Sequence, residues 1–290
     1  MSTLHRLARI IVLLTLAAGL AACSAVKLGY STLDTVAYWW LDSYVDFTDE
    51  QAPRVREDLA RLHLWHRSQE LPRLAEMLHS MEQLVPGDIR PAQACALVAE
   101  FRQRLRLLAD QAEPAVVTLA TSLQADQLRH LEHKYEDNNA KYRDEWVQLT
   151  APEQREKRYR QFLDRSEMIY GPLEAPQREA LRRDIERSTF DPQRILADRQ
   201  RRQQDALQTL RRLTGPQVDF QSARKLLRGY LDRFENSPDK TYRDYQEALI
   251  EEGCRSFAVL HNSTSLAQRE VAVRRLRAYQ RDLRELTASR

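Results

Sequence analysis

The sequence predicts an all-α fold, and three observations lead to that class. Glycine is rare, with seven in 290 residues. The stretches between prolines are rich in Arg, Leu, Glu, Gln and Ala, which are strong helix formers. We find no run of alternating β-branched residues of the kind that forms a strand. We therefore expect a single elongated multi-helix bundle built from helical hairpins, with about nine to eleven helices.

Apolar residues recur at helical spacing along the chain, as the packed face of a bundle helix requires. The five stripes are Leu33, Ala37, Trp40, Tyr44 and Phe47; Val55, Leu59, Leu62 and His66; Ala94, Val98, Phe101, Leu105 and Leu108; Ile250, Cys254, Phe257 and Leu260 or His261; and Leu266, Val273, Leu276 and Leu283, with Ala272 and Tyr279 beside them. Breaks between helices are expected where proline neighbours Gly, Asp or Ser. These breaks are Pro86-Gly87, Gly171-Pro172, Asp191-Pro192, Gly215-Pro216 and Ser237-Pro238. No long linker divides residues 23–290, which we expect to form one helical domain.

A short motif recurs near these breaks: an apolar residue stands four positions before a glutamine. The copies are FTDEQ (47–51), IRPAQ (89–93), LQADQ (123–127), LEAPQ (173–177) and LTGPQ (213–217). Where Ser or Thr stands three residues before Gln or Glu, the two side chains can form a capping box at a helix start. Such pairs are Thr48–Gln51, Thr150–Glu153, Thr214–Gln217 and Ser265–Gln268. The spacing of the motif is too irregular for a solenoid and favours repeated helical hairpins.

The N-terminus predicts a lipoprotein signal. A short positive region without acidic residues precedes an apolar stretch at 10–20, which is too short to span a bilayer permanently. Leu20-Ala21-Ala22-Cys23 resembles the lipobox of bacterial lipoproteins, whose signal is cut before the cysteine and whose new N-terminus is acylated. We predict a signal peptide over 1–22 and lipidation at Cys23. The alternative is an ordinary signal cleaved after Ala-x-Ala.

Further features bear on location and partners. Ser24 rather than Asp follows the cysteine, which by analogy with lipoprotein sorting favours an outer-membrane lipoprotein facing the periplasm. The full sequence has 45 basic and 42 acidic residues. Removal of the signal would take away Arg6 and Arg9 and no acidic residue, which leaves 43 basic and 42 acidic residues and a nearly neutral chain. Charges of both signs alternate, as on solvated helix faces. The densest basic run, at 198–212, is the only candidate for nucleic-acid binding, and we expect no such partner in a secreted protein.

Two further cysteines, Cys95 and Cys254, are expected to form a disulfide. Two cysteines in one chain of an oxidising compartment tend to pair, and each lies among the stripe positions of a predicted helix. The alternative is two buried free thiols, which behave as small apolar residues. A bridge would close a loop of about 160 residues and contribute about 5 kcal/mol at most in the chain-entropy model. It would also tie the two halves of the chain into one body.

The sequence contains no motif typical of an enzyme. There is no glycine-rich phosphate loop and no Gly-x-Ser-x-Gly elbow, so we expect neither catalysis nor a cofactor. The pairs His63–His66 and His130–His133, the second extended by Asp137, have a spacing that could hold a transition metal. The other interpretation is a stripe position for His66 and a polar surface around 130–137, and we expect no metal site.

An aromatic cluster, Tyr38-Trp39-Trp40, follows the anchor closely. Indole rings are favoured at membrane interfaces, whereas a packed first helix would bury them. Trp40 and Tyr44 lie on the first stripe and are expected to be buried. Trp39 points elsewhere and is the candidate for contact with lipid or a partner.

Three segments together resemble a family of uncharacterised bacterial lipoproteins, catalogued as a domain of unknown function. They are CSAVKLGYSTLDTVAYWWLDSYVDF (23–47), the region around Cys95 and CRSFAVLHNSTSLAQRE (254–270). The L-T-x-x-Q pattern, complete in LTGPQ and nearly so in FTDEQ, is similar to that of helical periplasmic proteins of the Spy and CpxP type, although plain helix capping also explains it. That second resemblance implies an ATP-independent chaperone or envelope-stress role.

The expected function is therefore that of a lipid-anchored envelope protein that binds protein clients and is chaperone-like or envelope-stress related. The alternative is a structural or assembly partner of an envelope complex without chaperone activity. A chaperone needs a broad surface with apolar and charged residues mixed. An assembly partner needs one defined, more apolar patch.

Overall fold

The computed structural model describes residues 27, 29–215 and 218–288. This part of the chain forms eleven α-helices and two short π-helical segments and contains no strand, which confirms the all-α class. None of these helices is both long and apolar enough to span a bilayer. The predicted signal segment 1–22 and Cys23 lie outside the described residues.

Short connections join the helices in chain order. They are α1 (Leu33–Val45), α2 (Gln51–Trp65), α3 (Leu71–Leu84), α4 (Pro91–Ser122), α5 (Ala125–Tyr142), α6 (Ala151–Tyr170), α7 (Ala175–Glu186), α8 (Pro192–Leu213), α9 (Phe220–Glu235), α10 (Lys240–Asn262) and α11 (Leu266–Ala288). The π segments are His66–Glu70, which continues α2 into α3, and Arg143–Val147, which extends α5.

Proline sets several of these boundaries. Pro91, Pro152, Pro176 and Pro192 stand in the first turn of their helices, where a missing N–H costs no helical hydrogen bond. The break predicted at Gly215-Pro216 lies at the end of α8, and the next helix begins at Phe220.

The bundle has two ends because several helices run along much of its length. From α2 to α3 the backbone is helical without interruption over 51–84, a distance of about 50 Å. We call the end where α2 and α5 begin the Gln51 end. We call the end where α7 and α11 begin the Gln268 end. Helix α4 joins the two: Ile89, just before it, bonds Asn262 near the Gln268 end, and Ser122 bonds Gln51.

Separate apolar cores lie toward the two ends. The core at the Gln51 end consists of Val117, Ala120, Leu213, Ala223 and Leu227. The core at the Gln268 end consists of Val85, Tyr170, Leu173, Leu260, Ala272 and Leu276. A third, smaller cluster of Tyr159, Leu181 and Ile185 is connected to the latter through Leu163. Apolar burial, the main stabilising term in folding, is therefore divided between two centres.

The predicted disulfide between Cys95 and Cys254 is present, with Cα atoms 5.5 Å apart, inside the limit of roughly 7 Å for a bridge. It ties the first turns of α4 to α10. The stripes near it are largely confirmed, since Leu260 and Leu276 are buried. Leu266 is an exception at 78% exposed, because it is the first residue of α11.

The third predicted stripe is wrong in its central part. Val98, Phe101 and Leu105, in the first half of α4, are 39%, 49% and 50% exposed. The stripe assumed a packing partner along the whole helix. Instead α4 is bridged to α10 near its start and is paired with α9 through Glu113 in its second half. Helix α4 connects the two cores, and the apolar stripe in its first half is therefore partly exposed to solvent.

Candidate functional site

The recurring glutamines meet in pairs at the two ends of the bundle. Gln127 donates from Nε2 to Oε1 of Gln51 at 2.7 Å, and Gln51 donates to Oε1 of Gln127 at 3.2 Å. Gln177 and Gln268 exchange the same two hydrogen bonds at 2.8 and 3.0 Å. Two helix starts are joined in this way at each end, α2 with α5 and α7 with α11.

The four glutamines use their other hydrogen bonds alike. Each Oε1 also accepts the backbone N–H of the residue three positions earlier, at 2.8 to 3.2 Å. Each Nε2 also donates to the carbonyl five residues before its partner glutamine. These carbonyls belong to Asp46, Ser122, Pro172 and Ser263. The side-chain amides are thereby used within the protein, so the joints are structural.

Helix capping was predicted for this motif, whereas the pairing was not. Both hydrogen bonds of the capping box are present at Thr48–Gln51 and Ser265–Gln268. At Thr150, the backbone N–H donates to Glu153 at 2.8 Å. Gln217 lies outside the described residues, and Asp219 caps the following helix. The repeated motif, an apolar residue four positions before a glutamine, was the sequence signal for this pairing. The motif does not indicate which two glutamines form a pair.

Helix α1 presents an uncharged apolar face to solvent. Leu33, Val36, Trp39 and Trp40 are 44%, 56%, 60% and 58% exposed. The prediction that Trp40 is buried is therefore wrong. Tyr38 is the buried residue of this helix, and the guanidinium of Arg56 lies 4.0 Å from its ring centroid. The helix is rotated relative to the predicted stripe.

The other aromatic residues of α1 can now be placed. Tyr44, predicted to be buried, is partly buried, and its hydroxyl accepts a hydrogen bond from Asn138 at 2.9 Å. Trp39 is exposed, as its proposed role requires. Its contact with lipid or a partner stays a prediction.

The start of α1 is held against α2 by polar contacts. The hydroxyl of Tyr30 lies 2.8 Å from Nδ1 of His66, and Nδ1 of His63 lies 3.8 Å from Asp34. Burial lowers the pKa of both histidines and raises the pKa of Tyr30 to about 12. At neutral pH the two imidazoles are therefore neutral.

The histidine pairs do not assemble a cluster of three or more metal ligands. His63 and His66 face α1, as above. Nε2 of His130 lies 3.3 Å from the carbonyl of Ser43, and Nε2 of His133 lies 3.9 Å from Asp137. Across the part of the chain with described coordinates, no three His, Cys, Asp or Glu side chains are grouped as a metal ion would need.

An apolar groove of about 520 Å³ lies between α2 and α4. Val55, Leu59 and Leu62 of the second predicted stripe line its α2 side. The apolar residues on its α4 side are Ala112, Pro114, Ala115, Val116 and Leu119. Leu41 of α1 and Phe220 of α9 complete the apolar lining. Val55 is buried, as the stripe predicts, whereas Leu59 and Leu62 are only partly buried because they border this open cleft.

Charged side chains border the groove on α2. Arg54 lies 3.9 Å from Asp58, and Arg61 also pairs with Asp58. Both arginines are more than 60% exposed. The groove thus has an apolar floor and a mostly neutralised charged rim on this side, an arrangement typical of sites for amphipathic segments.

A smaller cavity of 250 Å³ between α6, α7 and α10 contains Arg158. The guanidinium donates to Oγ of Ser188 at 2.6 Å and lies 4.0 Å from the carboxylate of Glu252. It also lies 4.3 Å from the ring centroid of Phe190. Other groups of the protein already bind this guanidinium. The cavity is therefore a weaker candidate for a ligand site than the groove.

Fold and surfaces define the class of this protein: an all-α bundle with an open apolar groove beside an exposed aromatic helix. The chain belongs to a family of unknown function, DUF6279, which matches residues 43–243. The match begins within α1 and ends within α10, so it includes both walls of the groove and three of the paired glutamines. The chain matches no curated protein and no solved structure.

Proposed function

We propose that this protein is a lipid-anchored, non-enzymatic binding protein of the bacterial cell envelope, and that it holds apolar segments of other proteins in the groove between α2 and α4. The groove is the observation that carries the proposal, because an open apolar cleft of this size is typical of sites that bind apolar segments. The lipobox at Cys23 supports the anchor and an outer-membrane location facing the periplasm.

The shape of the groove suits a short amphipathic helix. Helices α2 and α4 run antiparallel along it, since Gln51 bonds Ser122 and Glu70 lies 3.6 Å from Arg104. The lining spans 54–62 of α2 and 111–119 of α4, about 12 Å each, which is about two helical turns. A ligand helix would fill that length with apolar residues at i, i+3 or i+4, and i+7.

A chaperone-like role is our first candidate because the apolar surface continues beyond the groove. One side of α4 carries five apolar residues at helical intervals, namely Val98, Phe101, Leu105, Ala112 and Val116. The first three lie beyond the groove, toward the start of the helix. This surface extends over about 30 Å. Arg102 and Arg106 stand beside it and are exposed, and Arg106 pairs with Glu235 of α9. A long surface with apolar and basic residues mixed suits clients of varied sequence and agrees with the resemblance to Spy and CpxP.

A structural or assembly partner is the second candidate. The observation in its favour is the groove alone, a single bounded cleft with room for about two helical turns of one specific protein. Such a partner would bind tightly and at a fixed ratio. A chaperone-like protein would bind unfolded clients weakly and without such a ratio.

The test substitutes one exposed residue inside the groove and one outside it. Val116→Arg places a charge in the groove, whereas Val259→Arg places the same charge on α10, and the two valines are 41% and 52% exposed. Suppression of the aggregation of heat-unfolded citrate synthase is followed by light scattering without reductant, which keeps the Cys95–Cys254 bridge intact. Circular dichroism is the folding check. A chaperone-like protein suppresses aggregation, and Val116→Arg loses that effect while Val259→Arg keeps it.

The same two positions distinguish the second candidate. A photocrosslinking residue at 116 would capture one protein at a fixed ratio in cells, and the wild-type protein would not suppress aggregation. If position 116 behaves like position 259 in both assays, the groove is not a binding site.

The anchor is tested separately by Cys23→Ala. The substitution is expected to remove the acyl mass and to release the protein from membrane fractions. Unchanged mass and unchanged membrane association would contradict lipidation.

A further inference from the structure

The outer face of α1 lacks the charge that is common on the rest of this protein. Charged residues make up 30% of the sequence, yet the thirteen residues of 29–41 contain only Asp34. Asp34 is partly buried and faces His63. The exposed side chains of α1 as far as Trp40 are Leu33, Thr35, Val36, Trp39 and Trp40. A face of this composition is poorly suited to water.

This face begins close to the predicted lipid anchor. Lys27 follows Cys23 by four residues, a span of at most about 14 Å. Its ammonium lies 3.4 Å from Asp282 and also pairs with Glu285, which ties it to the last turns of α11. An acyl anchor on Cys23 would therefore be tethered to this point of the bundle by only four residues. Leu33 comes only six residues after Lys27.

Helix α1 also lies along the long axis of the molecule. Asp34 is beside His63, Tyr38 is beside Arg56, and the carbonyl of Asp46 accepts a hydrogen bond from Gln127 at the Gln51 end. Helix α1 is thus antiparallel to α2, which continues through the π-helical segment into α3 as one uninterrupted helical course of about 50 Å. Whatever surface α1 rests on runs parallel to this axis.

We propose that the outer face of α1 rests on the lipid surface into which the acyl chains of Cys23 insert, so that the bundle lies lengthwise along the bilayer. The inference rests on the proposed lipid anchor and deepens it. Indole rings partition to the membrane interface, and a helix with one apolar face lies in the plane of that interface. The short tether to Cys23 keeps this face near lipid at all times, which favours lipid over a protein partner. Because Leu41 lines the groove, the groove lies next to the membrane-facing helix.

The experiment compares two labelled valines in the full mature lipoprotein. Val36→Cys and Val259→Cys each carry an environment-sensitive fluorophore, and the two valines are 56% and 52% exposed. Cys95 and Cys254 are joined to each other and do not react. The protein is reconstituted in vesicles of phosphatidylethanolamine and phosphatidylglycerol that contain a spin-labelled phospholipid. The label at 36 is expected to shift to the blue and to lose about half of its emission, whereas the label at 259 keeps the emission seen in water.

Several results would contradict the proposal. Equal quenching at the two positions would overturn docking through α1. So would a blue shift at 36 that depends on protein concentration without vesicles, because a second copy would then cover the face. The double substitution Trp39→Ser and Trp40→Ser should reduce quenching at 36, and no change would count against a role for these indoles.

The mass of the mature chain separates the two levels of the proposal. Absence of acyl groups on Cys23 would contradict the lipid anchor and, with it, the docking that rests on it. An acylated Cys23 with equal quenching at 36 and 259 would contradict docking alone.

Discussion

The two ends of the bundle contain the same glutamine joint in different surroundings. At the Gln268 end both amides are buried, with Gln177 3% and Gln268 8% exposed. At the Gln51 end Gln127 is 5% exposed, but Gln51 is only partly buried. The joint is therefore closed at one end and partly open to water at the other. The comparison predicts that the Gln268 joint contributes more to stability than the Gln51 joint.

Further contacts close the Gln268 end. His261 is fully buried, its Nε2–H donates to the carbonyl of Gly87 at 2.9 Å, and its Nδ1 accepts from the hydroxyl of Tyr170 at 2.8 Å. Asn262 exchanges two hydrogen bonds with the backbone of Ile89. The disulfide lies two turns away on the same helix. The connection between α3 and α4 is thereby fixed to α10.

The Gln51 end has an ion cluster where the other end has a covalent bond. Glu113 is 2% exposed, and both its oxygens accept from Arg224 and Arg228 at 2.8 to 3.2 Å. This cluster ties α4 to α9 beside the groove. Five predictions test how far the regions of the bundle differ, and they run from the largest expected effect to the smallest.

Removing the disulfide should lower the free energy of unfolding more than any other change, because the unfolded chain gains conformational freedom when the bridge is absent. In protein that carries Cys23→Ser, the further pair Cys95→Ser and Cys254→Ser is expected to lower the free energy of unfolding by about 3–5 kcal/mol. Urea unfolding measures the loss. Among amides that exchange by local opening, exchange should accelerate in α10 and at the start of α4 more than in α9. An equal acceleration in all three would contradict a stabilised Gln268 end.

At the Gln51 end, Glu113→Gln is expected to cost about 2–3 kcal/mol, because two guanidiniums lose a buried counterion. The arginines are 39% and 54% exposed, which places the value below that for a fully buried cluster. Glu270→Gln, in an exposed pair with Arg274, is the control and should cost about 0.5 kcal/mol or less. Urea unfolding of both variants checks the prediction, and equal losses would refute it.

The same carboxylate gives this end a dependence on acid. Hydrogen bonds from Arg224 hold the pKa of Glu113 below its ordinary value of 4.5. Its stabilisation is therefore present above pH 4.5 and is lost as the pH falls through the lower pKa of the folded state. In Glu113→Gln this part of the acid dependence should be absent.

The glutamine joints can be compared by double-mutant cycles. Each single change, Gln177→Ala or Gln268→Ala, is expected to cost about 1–2 kcal/mol, because it removes both bonds between the amides and the bonds of the lost amide to buried backbone groups. Gln51→Ala and Gln127→Ala should cost less, since water can reach Gln51. The coupling energy from each cycle measures the pair itself. A larger coupling energy at the Gln51 end would reverse the comparison.

The smallest effect is expected where α1 meets α2. Burial lowers the pKa of His66 below its ordinary value of 6.5, so the imidazole stays neutral beside Tyr30. Stability from this contact is present above pH 6.5 and is lost as the pH falls through the lower pKa of the folded state. The protection factors of the amides over 30–45, which are corrected for the intrinsic pH dependence of exchange, should therefore fall between neutral and mildly acidic pH. His66→Gln should weaken this pH dependence, and an unchanged pH dependence would contradict the assignment to His66.

Local chemistry made much of the fold predictable from the sequence. Prolines in first turns and Ser or Thr caps act within a few residues, so helix boundaries and the all-α class follow from them. The pairing of Cys95 with Cys254 could be expected because only two cysteines remain after Cys23. The capping role of Gln51 and Gln268 was visible for the same local reason.

The tertiary structure alone decided which surfaces meet. Helical spacing shows that α1 and α4 each have an apolar face, but not whether another helix covers it. That is why Trp40 and Phe101, expected in a core, are exposed, and why the stripe of Val55 lines a groove. Likewise, the partner of Gln51 stands 76 residues away and that of Gln177 stands 91 residues away. Periodicity and capping are properties of one helix, whereas a groove and a joint depend on how the chain brings two helices together.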